Sequence, residues 1–355
     1  MSNSHLLFLN RFEVGQEDWD TFVDASDEAW LWHRFDLQDA ISTLPGKHDL
    51  SFAIRGTALG ERIVAVIPLH LIEKRRIYAF KWNTLDSLGG PACANGLGVK
   101  QKRKILEYAM SQITDLARKY DAVEINFALS PMAPAYCGER CPRINPLLEM
   151  GCENTLTQTW VVDIRQGKEK LWMNMETRAR NAIRKAEKEG LRVRPANGSD
   201  DLDIYYHLHC ETYRRTGVPP HPKSYFEAIW RNFLSKDLSL IFFAEWKENV
   251  VAAENFGAYK KAAVYWTGAA NSQGLTLQAN SLLQWAAMQS MVENGIEWYE
   301  TGEAFPHLRE GKLKGLNNFK RSFGGELFPY YRGRIVFSPK WHSLWRFIHT
   351  WRTNT

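Results

Sequence analysis

The 355-residue sequence has no run long and apolar enough to span a bilayer, so no integral membrane segment is expected. The opening Met1-Ser-Asn-Ser-His-Leu-Leu-Phe-Leu-Asn has neither a basic flank nor a long apolar stretch. No secretory signal is read there, and a cytoplasmic protein is expected. Cysteine is scarce: five residues, an odd number without scaffold spacing, which argues against a disulfide framework and suits reduced thiols. Cys137-Gly-Glu-Arg-Cys141 has the look of half a metal site, but no second pair follows. His207 and His209 stand two apart on a helical stretch and so point in different directions. No metal is expected. Net charge is low at +5, which permits anionic substrates without demanding nucleic acid.

What is plentiful is ring surface. Fourteen tryptophans suit a core and pocket walls built from large side chains, and some could stack on a sugar or base. Hydrophobic content of 45% with 24% charge describes a globular chain, and the length accommodates two domains.

A pattern recurs along the chain. Asp49-Leu-Ser-Phe-Ala-Ile resembles Asp237-Leu-Ser-Leu-Ile-Phe, and Arg62-Ile-Val-Ala-Val-Ile-Pro resembles Asn249-Val-Val-Ala-Ala-Glu-Asn. Each pair reads as strands. A loop, a helix and another strand follow in both halves: Val99–Tyr120 then Ala122–Phe127, and Leu277–Asn294 then Ile296–Glu300. We read a degenerate internal duplication of one α/β unit. The first copy's loop, Ser87-Leu-Gly-Gly-Pro-Ala-Cys-Ala-Asn-Gly-Leu-Gly, lacks P-loop and dinucleotide spacing and reads as a tight turn. Between the copies, Pro131, Pro134, Pro142 and Pro146 mark an irregular crossing. Thr157–Ile164 resumes as a strand.

A single basic helix is expected over Lys168–Glu189. In it Arg180 and Arg184 share a face and could take a phosphate or carboxylate, or simply meet solvent. Helices are expected at Asp201–Thr216 and Pro222–Leu234, and a strand-like run at Leu327–Phe337. Trp341, Leu344, Trp345, Ile348 and Trp351 fall at helical spacing, to pack on the protein or to lie on a membrane surface.

Several antiparallel strands, a polar loop, a helix and a crossing strand resemble the core of the GNAT acyltransferase fold. Gly315-Leu-Asn-Asn-Phe-Lys-Arg-Ser-Phe-Gly resembles the tail motif of its FemAB-like branch. Arg180–Gly190 and the helix pair before Leu238–Trp246 are similar to that branch too. Such proteins look like two GNAT domains in tandem, and include aminoacyl-tRNA-dependent peptidyltransferases and BioF2-like acetyltransferases. The resemblance implies an α/β (α+β) chain of tandem GNAT-like domains, each a mixed, mostly antiparallel sheet flanked by helices. The expected division is 1–155, 156–337 and an amphipathic tail at 338–355.

The resemblance also implies where the chemistry sits. An acyl donor lies where two central strands part, with its phosphates at the start of the next helix: here Gln278, Ala279, Asn280 and Ser281. A coenzyme A loop of the form Arg/Gln-x-x-Gly-x-Gly/Ala is absent, so an acyl-CoA and an aminoacyl-tRNA both stay open as donors. The matching lysine of Fem-like proteins faces the groove, which makes Lys320 a candidate catalytic residue. Glu300 and Glu303, at the end of a strand, could take a proton from the acceptor or pair with a lysine. Glu254 stands mid-strand among apolar neighbours, an unusual place for a carboxylate unless it works or is paired. Tyr265 and Trp266 could line the groove or fill the core. The expected activity is transfer of an acyl or aminoacyl group to an amine or hydroxyl of a cell-envelope or polysaccharide precursor. The acceptor would be a small molecule or a lipid- or sugar-linked one, and the tail leaves peripheral membrane contact open. An ordinary acetyl-CoA-dependent N-acetyltransferase and a non-catalytic anion- or glycan-binding module are the alternatives.

Overall fold

A computed structural model describes residues 5–57, 60–77, 80–305 and 311–338. The chain divides into two compact units, residues 157–329 forming one and the remainder the other. The tail expected at 338–355 lies almost wholly outside the described residues.

The first unit holds strands β1 (Leu6–Asn10), β2 (Lys47–Asp49), β3 (Phe52–Gly56), β4 (Arg62–Ile67), β5 (His70–Ile77), β6 (Phe80–Gly89), β7 (Ala92–Cys93), β8 (Ala122–Leu129) and β9 (Glu153–Asn154). Its helices are α1 (Arg11–Val14), α2 (Gln16–Ala25), α3 (Phe35–Ser42) and α4 (Val99–Lys119). The second unit runs β10 (Thr157–Asp163), α5 (Lys168–Asn174), α6 (Thr177–Lys188), β11 (Arg192–Pro195), α7 (Asp200–Thr216), α8 (Lys223–Asn232) and β12 (Ser239–Trp246). It continues with β13 (Asn249–Tyr259), β14 (Ala262–Ala270), α9 (Ser272–Thr276), α10 (Ala279–Glu293), β15 (Trp298–Ala304), α11 (Lys312–Arg321) and β16 (Glu326–Tyr330). A last strand, β17 (Arg332–Val336), pairs with β8 and β9 in the first unit. The sequence reading carries the second domain through residue 337; the backbone leaves it at Tyr330.

The second unit has one seven-stranded sheet in the order β11-β12-β13-β14-β15-β10-β16. The first splits its strands between a four-stranded sheet, β1-β3-β4-β7, and a six-stranded one, β2-β5-β6-β8-β17-β9. The same device appears in both. A strand, a long helix and a return strand make a parallel pair, β6 with β8 and β14 with β15. The neighbours of each pair, β5 and β17 in one unit and β13 and β10 in the other, are antiparallel.

The two parallel pairs differ in length. β6 and β8 pair from Asn83 with Ala122 to Gly89 with Leu129, with one register shift between Asn83 and Leu85. β14 and β15 pair only over Ala262–Val264 with Trp298–Glu300, and then part. Each strand carries a bulge just past the last pair. Phe256 faces Tyr265 while Asn255 faces Thr267, which leaves Trp266 extra. Val161 faces Glu300 while Trp160 faces Gly302, which leaves Thr301 extra. Bulges bend and twist the strand that bears them, so two at one level turn the strands apart. In the first unit the turn after β6 is filled from within: the His33 ring lies where a side chain at Gly89 would go, and its Nε2 is 3.0 Å from the Gly90 carbonyl.

The basic helix expected over Lys168–Glu189 is two helices. Met175 and Glu176 are extended (ψ 145° and 146°), and the backbone N–H of Glu176 bonds Ser322 instead of continuing the helix. On one face of the sheet α10 packs beside α6, burying Leu282, Leu283, Ala287, Met288 and Met291 against Phe256, Ala263 and Tyr299. On the other, Tyr205, Phe226 and Trp230 of α7 and α8 form a ring cluster that also contacts Phe243.

Candidate acyl-transfer cleft

Where β14 and β15 part, a cleft of about 370 Å³ opens. Tyr265, Gly268, Ala269 and Ala270 of β14 form one wall, and Gln278, Asn280 and Ser281 a second, at the start of α10. Thr212 and Arg215 of α7, Leu275 of α9, and Leu316 and Phe319 of α11 complete it.

Behind the wall lies Glu254, fully buried on β13. One carboxylate oxygen accepts from Asn280 Nδ2 at 2.9 Å and from the Tyr265 hydroxyl at 3.2 Å. The other accepts from Gln284 Nε2 at 2.8 Å. The Gln284 carbonyl oxygen accepts in turn from the Tyr299 hydroxyl at 2.5 Å, which fixes the amide so that its nitrogen faces Glu254. Burial pushes the Glu254 carboxyl up to about 8, against the pull of these three donors. Burial and the neighbouring carboxylate hold Tyr265 well above the ordinary phenol value, so its hydroxyl stays a donor. Asn280 Oδ1 is buried without a hydrogen-bond partner. Tyr265 and Asn280 both line the cleft and both touch Glu254.

The stretch before α10 differs from an open phosphate loop. Residues 272–276 coil into α9, capped by the Asn271 side chain, which accepts from Gly274 N at 2.8 Å. The N–H groups of Leu275, Leu277 and Gln278 bond carbonyls of Asn271, Gln273 and Leu275. What remains for a ligand is the first turn of α10, where the N–H groups of Ala279 and Asn280 have no acceptor within the helix. Ala279 itself is fully buried and offers only backbone.

The remaining candidates lie elsewhere. Lys320 is tucked between α11 and β15, its amine 3.1 Å from the Glu303 carbonyl oxygen. Burial lowers its ammonium from the usual lysine value, and Glu300 and Glu303 oppose that. It does not line the cleft, although Phe319 beside it does. Glu300 is buried and accepts from the Thr159 hydroxyl at 2.7 Å. Glu303, directly opposite Thr159 on β10, is half-buried. Trp266 points to the other face, where its indole N–H donates to the Tyr225 hydroxyl at 3.0 Å. Arg180 donates to the carbonyls of Trp172 and Met173 and ties α5 to α6, while Arg184 lies over the Trp172 ring. The structure brings neither arginine to the cleft. Thr212, Arg215 and Gln284 escaped the sequence reading. Only Gln284 left a signal there, as a polar residue on the apolar face of α10.

Among the described residues no cluster of three or more histidine, cysteine or acidic side chains is placed to hold a metal ion, and no helix is long and apolar enough to cross a membrane. A family profile described as an acetyltransferase (GNAT) domain matches residues 173–321. Among solved structures, FemX matches with a TM-score of 0.70 at 13% identity, over 95% of this chain and 99% of that one. The C-terminal domain (DUF2156) of a protein assigned as a lysylphosphatidylglycerol synthetase, from Agrobacterium fabrum, matches with a TM-score of 0.56 at 17% identity, over 90% and 92%. A tandem GNAT protein from the clavulanic acid biosynthesis pathway matches with a TM-score of 0.53 at 11% identity, over 94% and 99%. No curated protein sequence matches significantly. Identities this low speak for the fold alone, and the profile speaks for the domain. Residues 173–321 are therefore similar to an acetyltransferase (GNAT) domain, within a chain whose fold is shared with FemX and with a tandem GNAT protein.

Proposed function

We propose that the second unit transfers an acyl or aminoacyl group from an activated ester or thioester to an amine or hydroxyl of a cell-envelope or polysaccharide precursor. The observation that supports this reading is the cleft between the parting strands, backed by a buried carboxylate that contacts two of its lining side chains. The donor's carbonyl lies against the first turn of α10, where the N–H groups of Ala279 and Asn280 stabilise the oxyanion. As the acceptor attacks, its proton passes to the Tyr265 oxygen while the Tyr265 proton passes to Glu254. Collapse of the tetrahedral intermediate breaks the bond to the leaving group, which takes that proton back through Tyr265. Lys320 acts as a positioning residue, holding the end of β15 that has parted from β14 through the Glu303 carbonyl.

The closed α9 turn favours a donor whose leaving group is not gripped by a phosphate loop there. The structure assigned as a lysylphosphatidylglycerol synthetase domain carries a name that denotes an aminoacyl lipid, which supports an envelope acceptor. Purified protein would be incubated with labelled aminoacyl-tRNA or labelled acetyl-CoA together with an envelope-precursor extract. Label should move to the extract, and Glu254→Gln should slow it by about 10²- to 10⁴-fold. Tight calorimetric binding of acetyl-CoA with acetyl transfer would make this an ordinary acetyltransferase. Steeply salt-dependent binding with no transfer from either donor would leave an anion-binding module.

A further inference from the structure

The first unit has a cleft of its own, about 460 Å³, between α2, the β3–β4 hairpin and the residues after β7. Such a volume is in the range of small-ligand sites. Phe22, Ala25, Ile63 and Ala94 give it an apolar wall. Around the wall stand two cations, Arg55 and Arg62, and two anions, Asp18 and Glu61. Arg55 and Ile63 are direct cross-strand partners and so present one face to the cleft. A bulge in β4 at this level sets that register, Ile54 facing Ala65 and Arg55 facing Ile63.

The charges have not found each other. None of the four takes part in an ion pair or side-chain hydrogen bond among the described residues, although other charges of the same unit pair, as Arg34 does with Asp20 and Asp24. The Arg55 Nε–H is buried and lacks an acceptor. A buried donor left unmet costs free energy that a ligand or water would relieve.

The charge set selects among ligands. A phosphate or other multiply charged anion would meet Asp18 and Glu61 as well as the arginines. A simple cation would meet both guanidinium groups. An apolar ligand would strip water from four charges and return nothing. We infer that the first unit binds a small zwitterion, the ammonium-and-carboxylate end of an amino acid or short peptide. Its carboxylate lies on Arg55 and Arg62, its ammonium on Asp18 and Glu61, and its side chain on Phe22 and Ile63. Arginine's planar fork suits the carboxylate. This site is separate from the acyl-transfer reading and does not depend on it.

The test uses the full chain and three probes in calorimetry: glycylglycine, N-acetylglycine, which lacks the ammonium, and glycinamide, which lacks the carboxylate. Glycylglycine should bind saturably, and each half-charged probe should be weaker by about tenfold or more. Arg55→Ala should abolish glycylglycine binding, and Asp18→Asn should erase the preference for glycylglycine over N-acetylglycine. Asp18 is exposed on α2, so its variant leaves the fold in place if Arg55→Ala does not. Equal binding of the three probes, no saturable binding of glycylglycine, or a full response in Asp18→Asn would each overturn the assignment.

Discussion

Glu254 is the residue on which the proposed chemistry turns, and its titration gives it away. A folded-state carboxyl near 8, against a free value of 4.5, means that folding favours the protonated acid. Its contribution to stability is therefore full below about pH 4.5 and is lost as pH rises through about 8. Catalysis needs the ionised form, so the rate should climb over the same range and level off above about pH 8. Glu254→Gln should flatten that rate profile and remove the alkaline loss of stability. Its melting temperature should gain on the wild type between about pH 5 and about pH 9, because no charge need form in the core. The Asn280 carbonyl oxygen, without a partner, can turn to accept from the new amide, so the variant should fold. A rate profile of unchanged shape in the variant would remove Glu254 from the reaction. Lys320→Met should lower turnover by a smaller factor, about tenfold, and leave the profile's midpoint in place, as befits a residue that holds a strand. Loss of the midpoint would instead put its ammonium in the cleft. Glu254 was legible in the sequence because a carboxylate amid Val250-Val-Ala-Ala and Phe256 has few innocent explanations. Tyr265 and Trp266 were only half legible: neighbours on a strand face opposite ways, and composition does not say which one meets α10.

At the level of elements, the cleft is made by two bulges and one closed turn. The strands and α10 could be read from periodicity, but neither bulge could, since an extra residue is defined by the partner strand opposite it. The break between α5 and α6 was hidden for a similar reason. Nothing in Trp172-Met-Asn-Met-Glu-Thr forbids a helix, and what ends it is a bond from Glu176 to Ser322, far along the chain. The two arginines placed on a substrate by helical spacing serve that break instead. Gly268 sits directly across from Glu254 on β14, and a methyl group there would stand 1.9 Å from the Tyr265 hydroxyl. Gly268→Ala must swing the ring away from Glu254. Turnover should fall by about 10²-fold, with a melting temperature changed far less. If Gly268→Ala works at the wild-type rate, Tyr265 does not carry the proton. Asn271→Ala should remove the cap of α9 and cost about 1 kcal/mol of stability, read from denaturant unfolding.

Across the whole molecule, the duplication shows most clearly in strand direction, with one parallel pair around a long helix in each unit. Local likeness between the two halves of the sequence pointed to it, whereas the return of the chain to its first unit did not show. Leu327–Phe337 reads as one strand-like run, yet Tyr331 alone separates strands that belong to different sheets. What directs β17 is long-range. Asn145, 5% exposed, donates through Nδ2 to the Arg332 carbonyl and to Asn154 Oδ1, both at 2.9 Å, and accepts from Leu147 N at 3.1 Å. One side chain thus joins β9, β17 and the turn before them. Asn145→Ala leaves the Leu147 amide unmet in a buried place, at a cost of about 1–3 kcal/mol, and takes from the Arg332 carbonyl one of its two donors, the other being Thr155 N. The expected outcome is a lower unfolding midpoint and faster hydrogen exchange over 332–336 and the facing amides of β8. Asn145→Asp keeps the acceptor but puts carboxylate oxygens against the Arg332 carbonyl and Asn154, and should lose as much. If exchange in β8 and β17 does not change in either variant, Asn145 does not hold the returning strand, and pairing with β8 alone suffices.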